Sequence, residues 1–194
     1  MSRLPDLHDA LSRHQPREVV DPTRREAAVA IVLAPGPDRL LLIVRAERQG
    51  DPWSGHLACP GGRREPGDDG LLTTAIRETA EEVGLDLRTV SRPIQLDDLA
   101  PTTPSLPPLL VRPFLFVLDR EANLQINGEV AGYHWVTLES LATENARRPA
   151  SIEIAGTVRR VAGYQLVHGL LWGLTERIVT PVVARWKEVA DRAD

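Results

Sequence analysis

Three glutamates and one arginine near the middle of the chain have the types and spacing of a metal-binding site. Glu78, Glu81 and Glu82 stand at positions i, i+3 and i+4, so on a helix they share one face, with Arg77 at its edge. Neighbouring carboxylates repel one another, whereas Mg²⁺ or Mn²⁺ prefers carboxylate oxygens as ligands. Arg77 can pair with one of these carboxylates and hold its orientation. The alternative is a solvated acidic helix face without a ligand.

The helix that carries these residues is predicted over 71–83, and Gly84 is a stop signal after it. Residues 49–66, before the helix, are rich in glycine and are expected to be irregular. Gly61 and Gly62 in this stretch allow the backbone to come close to a phosphate group. The apolar stripe of the helix falls on a different face from the glutamates and comprises Leu72, Ala75, Ile76, Thr79 and Val83.

The rest of the pattern indicates a chain of mixed α and β structure. The runs 27–34 and 39–45 flank a turn sequence and predict a hairpin. A short helix is expected after Thr137, and a final helix over about 170–189, where Pro181 predicts a kink or a break. No linker divides the chain, so we expect one domain with a core over about 27–185 and an N-terminal extension, 1–25. Further strands are predicted at 93–101, 109–118 and 131–136, with a pair within 151–165.

Composition excludes several classes of protein and ligand. The 194 residues are 42% hydrophobic and 26% charged, which excludes collagen, coiled coil and bulk disorder. The formal net charge of −4 argues against nucleic acid as the main ligand, because phosphate backbones select basic surfaces. The single cysteine, Cys59, excludes an intrachain disulfide framework and is expected to be buried and inert. Because neither a signal peptide nor a membrane span is visible, we expect a cytoplasmic protein.

The segment 61–85 resembles the Nudix box of the Nudix hydrolases, G-x5-E-x7-R-E-U-x-E-E-x-G-U, where U is apolar. The interval from Gly62 to Arg77 is one residue longer than in the box, and Thr79 stands where an aliphatic residue is usual. The first glutamate of the box is replaced by Asp68, which keeps the spacing from Gly62, or by Asp69, which keeps the spacing to Arg77. The positions that match in kind are Gly62, Arg77, Glu78, Glu81, Glu82, Gly84 and Leu85.

The longer interval resembles the coenzyme A diphosphatase branch of this family. Three other segments agree with that branch, namely 55–62 (GHLACPGG, with Cys59 in place of phenylalanine), 96–102 (LDDLAPT) and 172–178 (WGLTERI). The upstream signature of the branch disagrees in two places, because this chain has Asp51 where the branch has arginine, and 44–48 (VRAER) in place of the T-x-S part. Arg45 and Arg48 are the candidates for supplying the missing positive charge.

The resemblance implies the Nudix α/β/α sandwich, a mixed β-sheet between helices with the box forming loop–helix–loop. It implies a hydrolase of a nucleotide diphosphate in which Mg²⁺ or Mn²⁺ is held by the three glutamates, with Arg77 supporting them. Glu78 or Glu129 would be the general base, because some Nudix enzymes have a glutamate outside the box at this spacing; an ordinary turn glutamate is the alternative for Glu129. The branch implies cleavage of coenzyme A or its acyl derivatives to 3′,5′-ADP and 4′-phosphopantetheine. Substrate contacts are expected from Arg45, Arg48, His56, Gly61 and Gly62.

Other functions stay open on the sequence alone. Asp51 leaves room for another diphosphate, such as ADP-ribose, NADH or a nucleotide sugar. A Nudix module that senses a nucleotide without cleaving it would be expected to lack the acidic cluster, and net charge disfavours capped RNA. The apolar residues of 164–183 fit either a homodimer interface or a core. Several other residues are candidates for nucleotide contacts, each with a simpler alternative. His56 is otherwise a polar loop residue, Trp53 and Trp172 are otherwise packing residues, and the arginine pairs 147–148 and 159–160 are otherwise solvated surface.

Overall fold

The computed structural model describes residues 2–49, 53–101, 108–154 and 156–193. Asp51 and Thr102, which belong to the segments compared with the coenzyme A branch, lie outside these residues. The helices of the described part are α1 Leu4–Ser12, α2 Leu71–Val83, α3 Leu138–Ala142 and α4 Gly173–Ala193, with a 3₁₀ turn at Leu87–Thr89. Its strands are β1 Arg25–Ala34, β2 Arg39–Arg45, β3 Leu57–Ala58, β4 Gly61–Arg63, β5 Ile94–Gln95, β6 Leu109–Val117, β7 Val130–Thr137, β8 Arg147–Ile154, β9 Thr157–Leu166 and β10 Gly169–Trp172.

Strands β1 to β7 form one mixed sheet, and β8 to β10 form a second, antiparallel sheet. The large sheet has the order β3–β2–β1–β6–β5, with β4 also pairing with β1 and β7 with β2. β1 and β6 run parallel, from Arg25 opposite Leu109 to Leu33 opposite Val117. The other pairs of the large sheet are antiparallel. The mixed sheet that the Nudix resemblance implies is therefore present.

Both faces of the large sheet are buried, because successive residues of a strand point to opposite sides. In β1, Ala27, Ile31 and Leu33 belong to one apolar cluster, and Ala30 and Val32 belong to the other. α1 and α4 pack in the first cluster and α2 packs in the second. This is the α/β/α sandwich that the Nudix resemblance implies. None of the described helices combines the length and apolar character needed to cross a membrane.

Most predicted elements are confirmed. β1 and β2 form the hairpin, with Leu33 opposite Leu40. α2 has the predicted bounds and ends at Gly84, whose φ of 68° is the left-handed conformation that suits glycine. The short helix after Thr137 begins where the Thr137 hydroxyl accepts a hydrogen bond from the Ser140 amide. The apolar residues of 164–183 include core positions, among them Tyr164, Leu171, Ile178 and Val179.

Four predictions about elements are wrong in part. Residues 49–66 are not irregular throughout, because they contain β3 and β4. The segment 93–101 is strand only at Ile94–Gln95, followed by an isolated bridge between Leu99 and Val111. The final helix begins at Gly173 rather than near 170, because the preceding residues pair with β9 as β10. Pro181 does not break that helix, and Val179 and Val182, on either side of the proline along the chain, are buried in the core.

The N-terminal segment is part of the packed structure and not an extension outside it. Leu4, Leu7 and Leu11 of α1 are buried in the same cluster as α4. The buried carboxylate of Asp38 connects the start of α1 to α4, since it accepts hydrogen bonds from the Arg3 amide at 2.9 Å and from Trp186 Nε1 at 2.7 Å. Burial also continues beyond residue 185, so the core exceeds the predicted range 27–185 at both ends.

Candidate active site

Helix α2 presents the acidic cluster because its other face is fixed in the core. Leu71, Ala75 and Val83 are buried against the large sheet. Thr79, at the position where the box has an aliphatic residue, is fully buried, and its hydroxyl donates to the Ala75 carbonyl at 2.7 Å. That bond satisfies the hydroxyl within the helix, which explains how a polar residue is accommodated there.

Arg77 is the centre of the hydrogen-bond network around the cluster. Its Nε and Nη2 donate to the two carboxylate oxygens of Asp68, each at 3.0 Å. Its Nη1 donates to Glu78 Oε1 and Glu81 Oε2, each at 3.0 Å, and its Nη2 also donates to the Arg63 carbonyl. One guanidinium therefore connects the loop before α2 to two of the three glutamates.

Asp68, rather than Asp69, makes these contacts with Arg77. Asp68 is buried and also accepts hydrogen bonds from the Glu65 amide and the Thr74 hydroxyl, whereas Asp69 is exposed. Hydrogen bonds from Arg77 hold the pKa of the Asp68 carboxyl well below its usual range. The spacing of the sequence is compatible with either aspartate as the replacement for the first glutamate of the box. The loop geometry selects Asp68, which keeps the spacing of the box from Gly62.

Glu82 is a buried carboxylate, with 6% of its surface exposed. Its Oε2 accepts a hydrogen bond from the Gly61 amide at 2.9 Å. The pKa of Glu82 is raised to about 7: burial is the largest cause, the charges of Glu78 and Glu129 add to it, and the Gly61 hydrogen bond and the charge of Arg45 oppose it. The Gly61 amide thus holds the Glu82 carboxylate against β4, one helical turn along α2 from Glu78.

The carboxyl group of Glu78 occupies the space that a side chain at position 62 would fill if this residue were not glycine. A Cβ at Gly62 would lie 2.4 Å from the Glu78 carboxyl carbon. A Cβ at Gly61, whose φ is 152°, would lie 2.3 Å from the carbonyl oxygen of Ala28 in β1. Burial raises the pKa of Glu78, Arg77 lowers it, and the neighbouring glutamates raise it. The two glycines thus let β4 lie against both β1 and the acidic face of α2.

Glu129 reaches the cluster because its loop is fastened to the end of α2. The amides of Gln125 and Asn127 donate to the carbonyls of Val83 and Glu82, at 2.9 and 3.1 Å. The side chain of Asn127 accepts a hydrogen bond from the Glu129 amide at 2.8 Å. These bonds explain how a residue far along the chain adds its charge to Glu78 and Glu82. The sequence-based interpretation missed this role of Asn127, for which the Asn127–Gly128 turn was the available signal.

Of the two predicted substrate arginines, Arg45 is the last residue of β2 and Arg48 lies three residues beyond it. Arg45 is close enough to lower the pKa of Glu82. Arg48 Nη2 donates to Glu129 Oε1 at 2.7 Å. His56 is joined to the same strand through its carbonyl, which accepts from the Arg45 amide, and its ring packs edge-on against Trp172 at 5.1 Å.

Other candidate residues of the sequence have structural contacts. Asp98 forms two 2.8 Å hydrogen bonds with Arg112, and Asp97 accepts from the Arg17 amide. Within each arginine pair, 147–148 and 159–160, neighbours point to opposite faces of the small sheet, and Arg147 pairs with Glu176 at 2.6 Å. Cys59 is buried, and burial raises the pKa of its thiol to about 12, which fits an unreactive cysteine.

The acidic cluster has the chemistry of a divalent-cation site but is not already arranged as one. Among residues 2–49, 53–101, 108–154 and 156–193, no three acidic, histidine or cysteine side chains are grouped to hold a metal ion. Arg77 holds oxygens of Glu78 and Glu81, and Gly61 holds one of Glu82. The raised pKa values of Glu78 and Glu82 mark negative charge that a hard cation would offset. The residues therefore fit a Mg²⁺ or Mn²⁺ ion, provided that part of these hydrogen bonds is exchanged for it.

Comparison with known proteins agrees with this fold and cluster. A family model described as the NUDIX domain matches residues 23–155. The chain belongs to the Nudix hydrolase family, whose members act on diphosphate-containing substrates.

Similar proteins span bacteria and a yeast. The uncharacterized Nudix hydrolase NudL of Photorhabdus laumondii is 30% identical over 179 residues, covering 89% of this chain and 94% of that protein. An uncharacterized protein of Schizosaccharomyces pombe is 31% identical over 173 residues, covering 77% of this chain and 53% of that protein. The chain thus spans about half the length of the yeast relative.

Solved structures of low sequence identity share the fold. The MutT/nudix family protein of Enterococcus faecalis has a TM-score of 0.58 at 17% identity, covering 97% of this chain and 70% of that one. The NUDIX domain of Shewanella oneidensis NrtR, complexed with ADP ribose, has a TM-score of 0.52 at 17% identity, covering 69% and 84%. The Nudix resemblance and its sandwich fold are confirmed, and these relatives do not bear on the coenzyme A branch.

Proposed function

We propose that the chain is a Mg²⁺- or Mn²⁺-dependent hydrolase of a diphosphate-linked nucleotide, with coenzyme A and its acyl derivatives as substrates. The products would be 3′,5′-ADP and 4′-phosphopantetheine or its acyl form. The observation that carries this proposal is the buried carboxylate of Glu82, held by Gly61 close to the charges of Glu78 and Glu129. Burying a carboxylate without a cation costs free energy. A divalent ion that binds both the carboxylate and the diphosphate would offset that cost and account for the buried position.

Each residue of the cluster has a distinct task in this proposal. Glu78, Glu81 and Glu82 would hold the ion, which neutralises charge on the diphosphate and lowers the pKa of a water when bound. Glu129 or Glu78 would accept the proton of the attacking water. Arg77 would position Glu78 and Glu81 through its two 3.0 Å hydrogen bonds. The phosphates would be contacted by Arg45, Arg48 and His56 and by the backbone at Gly61 and Gly62.

The coenzyme A assignment is supported by segments of sequence that resemble that branch. These are the longer interval between Gly62 and Arg77 and the segments 55–62, 96–102 and 172–178. A different diphosphate is the second candidate, because Asp51 replaces the arginine of the branch. ADP-ribose, NADH and nucleotide sugars belong to this candidate class, and the Shewanella NUDIX domain of the same fold is complexed with ADP ribose. A sensing module without catalysis is disfavoured, since the three glutamates are all retained.

A turnover panel tests the substrate. Coenzyme A, ADP-ribose, NADH and a nucleotide sugar are supplied at equal concentration with Mg²⁺ and then Mn²⁺, and the products are resolved by chromatography. We expect 3′,5′-ADP to appear from coenzyme A fastest, and no product in EDTA. Faster cleavage of another diphosphate would overturn coenzyme A as the substrate but would leave the proposed hydrolase activity in place. No turnover of any of the four would count against the proposed activity.

The general base is tested through Glu129→Gln. If Glu129 accepts the proton from water, this change lowers kcat and removes the acidic limb of the pH–rate profile. A profile that keeps its shape would assign the base to Glu78 instead.

We also propose that the whole chain forms one domain and works in the cytoplasm on a small-molecule substrate. The support for one domain is that α1 and α4 share an apolar cluster with the large sheet.

A further inference from the structure

Arg48 and Glu129 form an ion pair at the edge of the acidic cluster. The 2.7 Å bond joins Arg48 Nη2 to Glu129 Oε1, and 54% of each side chain is exposed. Both side chains can therefore change rotamer without disturbing the core. The turn that carries Glu129 is also tied to α2, because the Asn127 amide donates to the Glu82 carbonyl at 3.1 Å, so the ion pair lies beside the helix that carries the acidic cluster.

The backbone brings the two residues together independently of the ion pair. The Ala46 amide donates to the Glu129 carbonyl at 2.8 Å, which ties the end of β2 to the 127–129 turn. Beyond it, the Arg48 amide donates to the Ser54 hydroxyl at 2.9 Å, and that hydroxyl donates to the Arg48 carbonyl at 3.1 Å. Because these bonds fix both backbones, Arg48 stays within reach of the cluster whichever partner its guanidinium has.

An exposed ion pair of this kind contributes little to stability, on the order of 0–1 kcal/mol, and is easily exchanged. A divalent cation held by Glu78, Glu81 and Glu82 would attract the neighbouring Glu129 carboxylate more strongly than one guanidinium does. An arginine released from its carboxylate has the charge and the fork of donors that suit a phosphate group.

We propose that Arg48 is an exchangeable counter-ion: it neutralises Glu129 in the metal-free protein, releases that carboxylate to an entering divalent cation, and then binds a phosphate of the substrate. The inference rests on the proposed function and adds an order of events to it. Arg48 is then a positioning residue for Glu129 before metal binding and a substrate contact afterwards. It also keeps the site from accumulating uncompensated negative charge while it is empty of cation.

The test measures Mn²⁺ affinity by electron paramagnetic resonance or calorimetry in wild type, Arg48→Gln, Glu129→Gln and the double variant. Removing the competing guanidinium should tighten Mn²⁺ binding about two- to fivefold. In the Glu129→Gln background the same change should have a much smaller effect, because the ion pair is already absent. Arg88→Gln is the matched control, since its partner Asp86 is exposed and lies outside the cluster.

A second readout uses inorganic pyrophosphate as its Mg²⁺ complex. Arg48→Gln should weaken pyrophosphate binding about tenfold although it tightens Mn²⁺ binding, because a charge-assisted hydrogen bond to phosphate is lost. Opposite effects on cation and anion are not expected of a residue that only supports the loop.

The outcomes separate this inference from the proposed function. Wild type that fails to bind Mn²⁺ overturns both. Wild type that binds Mn²⁺, with Arg48→Gln unchanged or weaker, overturns the exchange alone. An equal tightening in the presence and absence of Glu129 would reveal only the long-range effect of removing a positive charge, and would also overturn the exchange.

Discussion

The amide of Gly61 donates a 2.9 Å hydrogen bond to the carboxylate of Glu82, which stands 21 residues further along the chain. This bond joins β4 to α2 and is made to a side chain that is almost fully buried. A single amide compensates only part of the cost of burying a carboxylate, which is why the pKa of Glu82 remains raised to about 7.

The raised pKa of Glu82 makes the stability of the metal-free protein depend on pH. The folded state binds a proton on Glu82 up to about pH 7, whereas the unfolded chain releases it near the ordinary glutamate pKa of 4.5. The free energy of unfolding therefore falls as pH rises between these values, by up to about 3 kcal/mol from this residue. Urea unfolding in EDTA at pH 5 and pH 8 measures the slope. Glu82→Gln should be flatter across this window, and an equal slope in both proteins would show that Glu82 titrates normally.

Asp68 has the opposite dependence, because hydrogen bonds from Arg77 lower its pKa. Asp68 contributes stability above its unfolded value of 3.8, and that contribution is lost as pH falls through its lower folded value. Replacing one partner of this buried pair should lower the free energy of unfolding by about 3 kcal/mol at neutral pH, and by much less in acid. Asp68→Asn is compared with Asp69→Asn, which changes an exposed carboxylate and should stay within about 0.5 kcal/mol of wild type. Equal effects of the two changes would contradict the assignment of Asp68.

Substitutions of the two glycines of β4 should have different effects, because one should mainly lower stability and the other should mainly lower activity. In Gly61→Ala the new Cβ meets the backbone of Ala28 and Val29, which cannot yield, so we expect a loss of about 3 kcal/mol or more. In Gly62→Ala it meets only the flexible end of Glu78, which can move aside at a cost of about 1 kcal/mol. The second variant should remain folded but lose most of its activity, because the Glu78 carboxylate is displaced. Thermal melts and initial rates measure both. A Gly62→Ala variant with full activity would show that the position of Glu78 is unimportant.

The sequence predicts elements whose signals are local and fails where distant contacts decide. α2 has its predicted bounds because the apolar stripe and Gly84 both lie within it. The apolar run Leu170–Leu171 suits either a helix or a strand, so the sequence predicts the final helix from about 170, whereas pairing with β9 makes this run part of β10. The choice of Asp68 over Asp69 depends on the fold of a loop, and the Arg48–Glu129 pair joins residues 81 positions apart. The three glutamates are predicted to be neighbours because one helix carries them all, and their role as metal ligands stays a prediction.

The most direct test of the account is the turnover of Glu82→Gln relative to wild type. The measurement uses saturating Mg²⁺, the best substrate of the panel, and circular dichroism to establish that the variant is folded. Removing the buried charge takes away one of the three proposed ligands but leaves the shape of the side chain almost unchanged. We predict less than about a tenth of wild-type turnover, a loss of more than about 1.4 kcal/mol of transition-state stabilisation. A folded variant that keeps more than that fraction would contradict the assignment of the acidic face of α2 as the metal site.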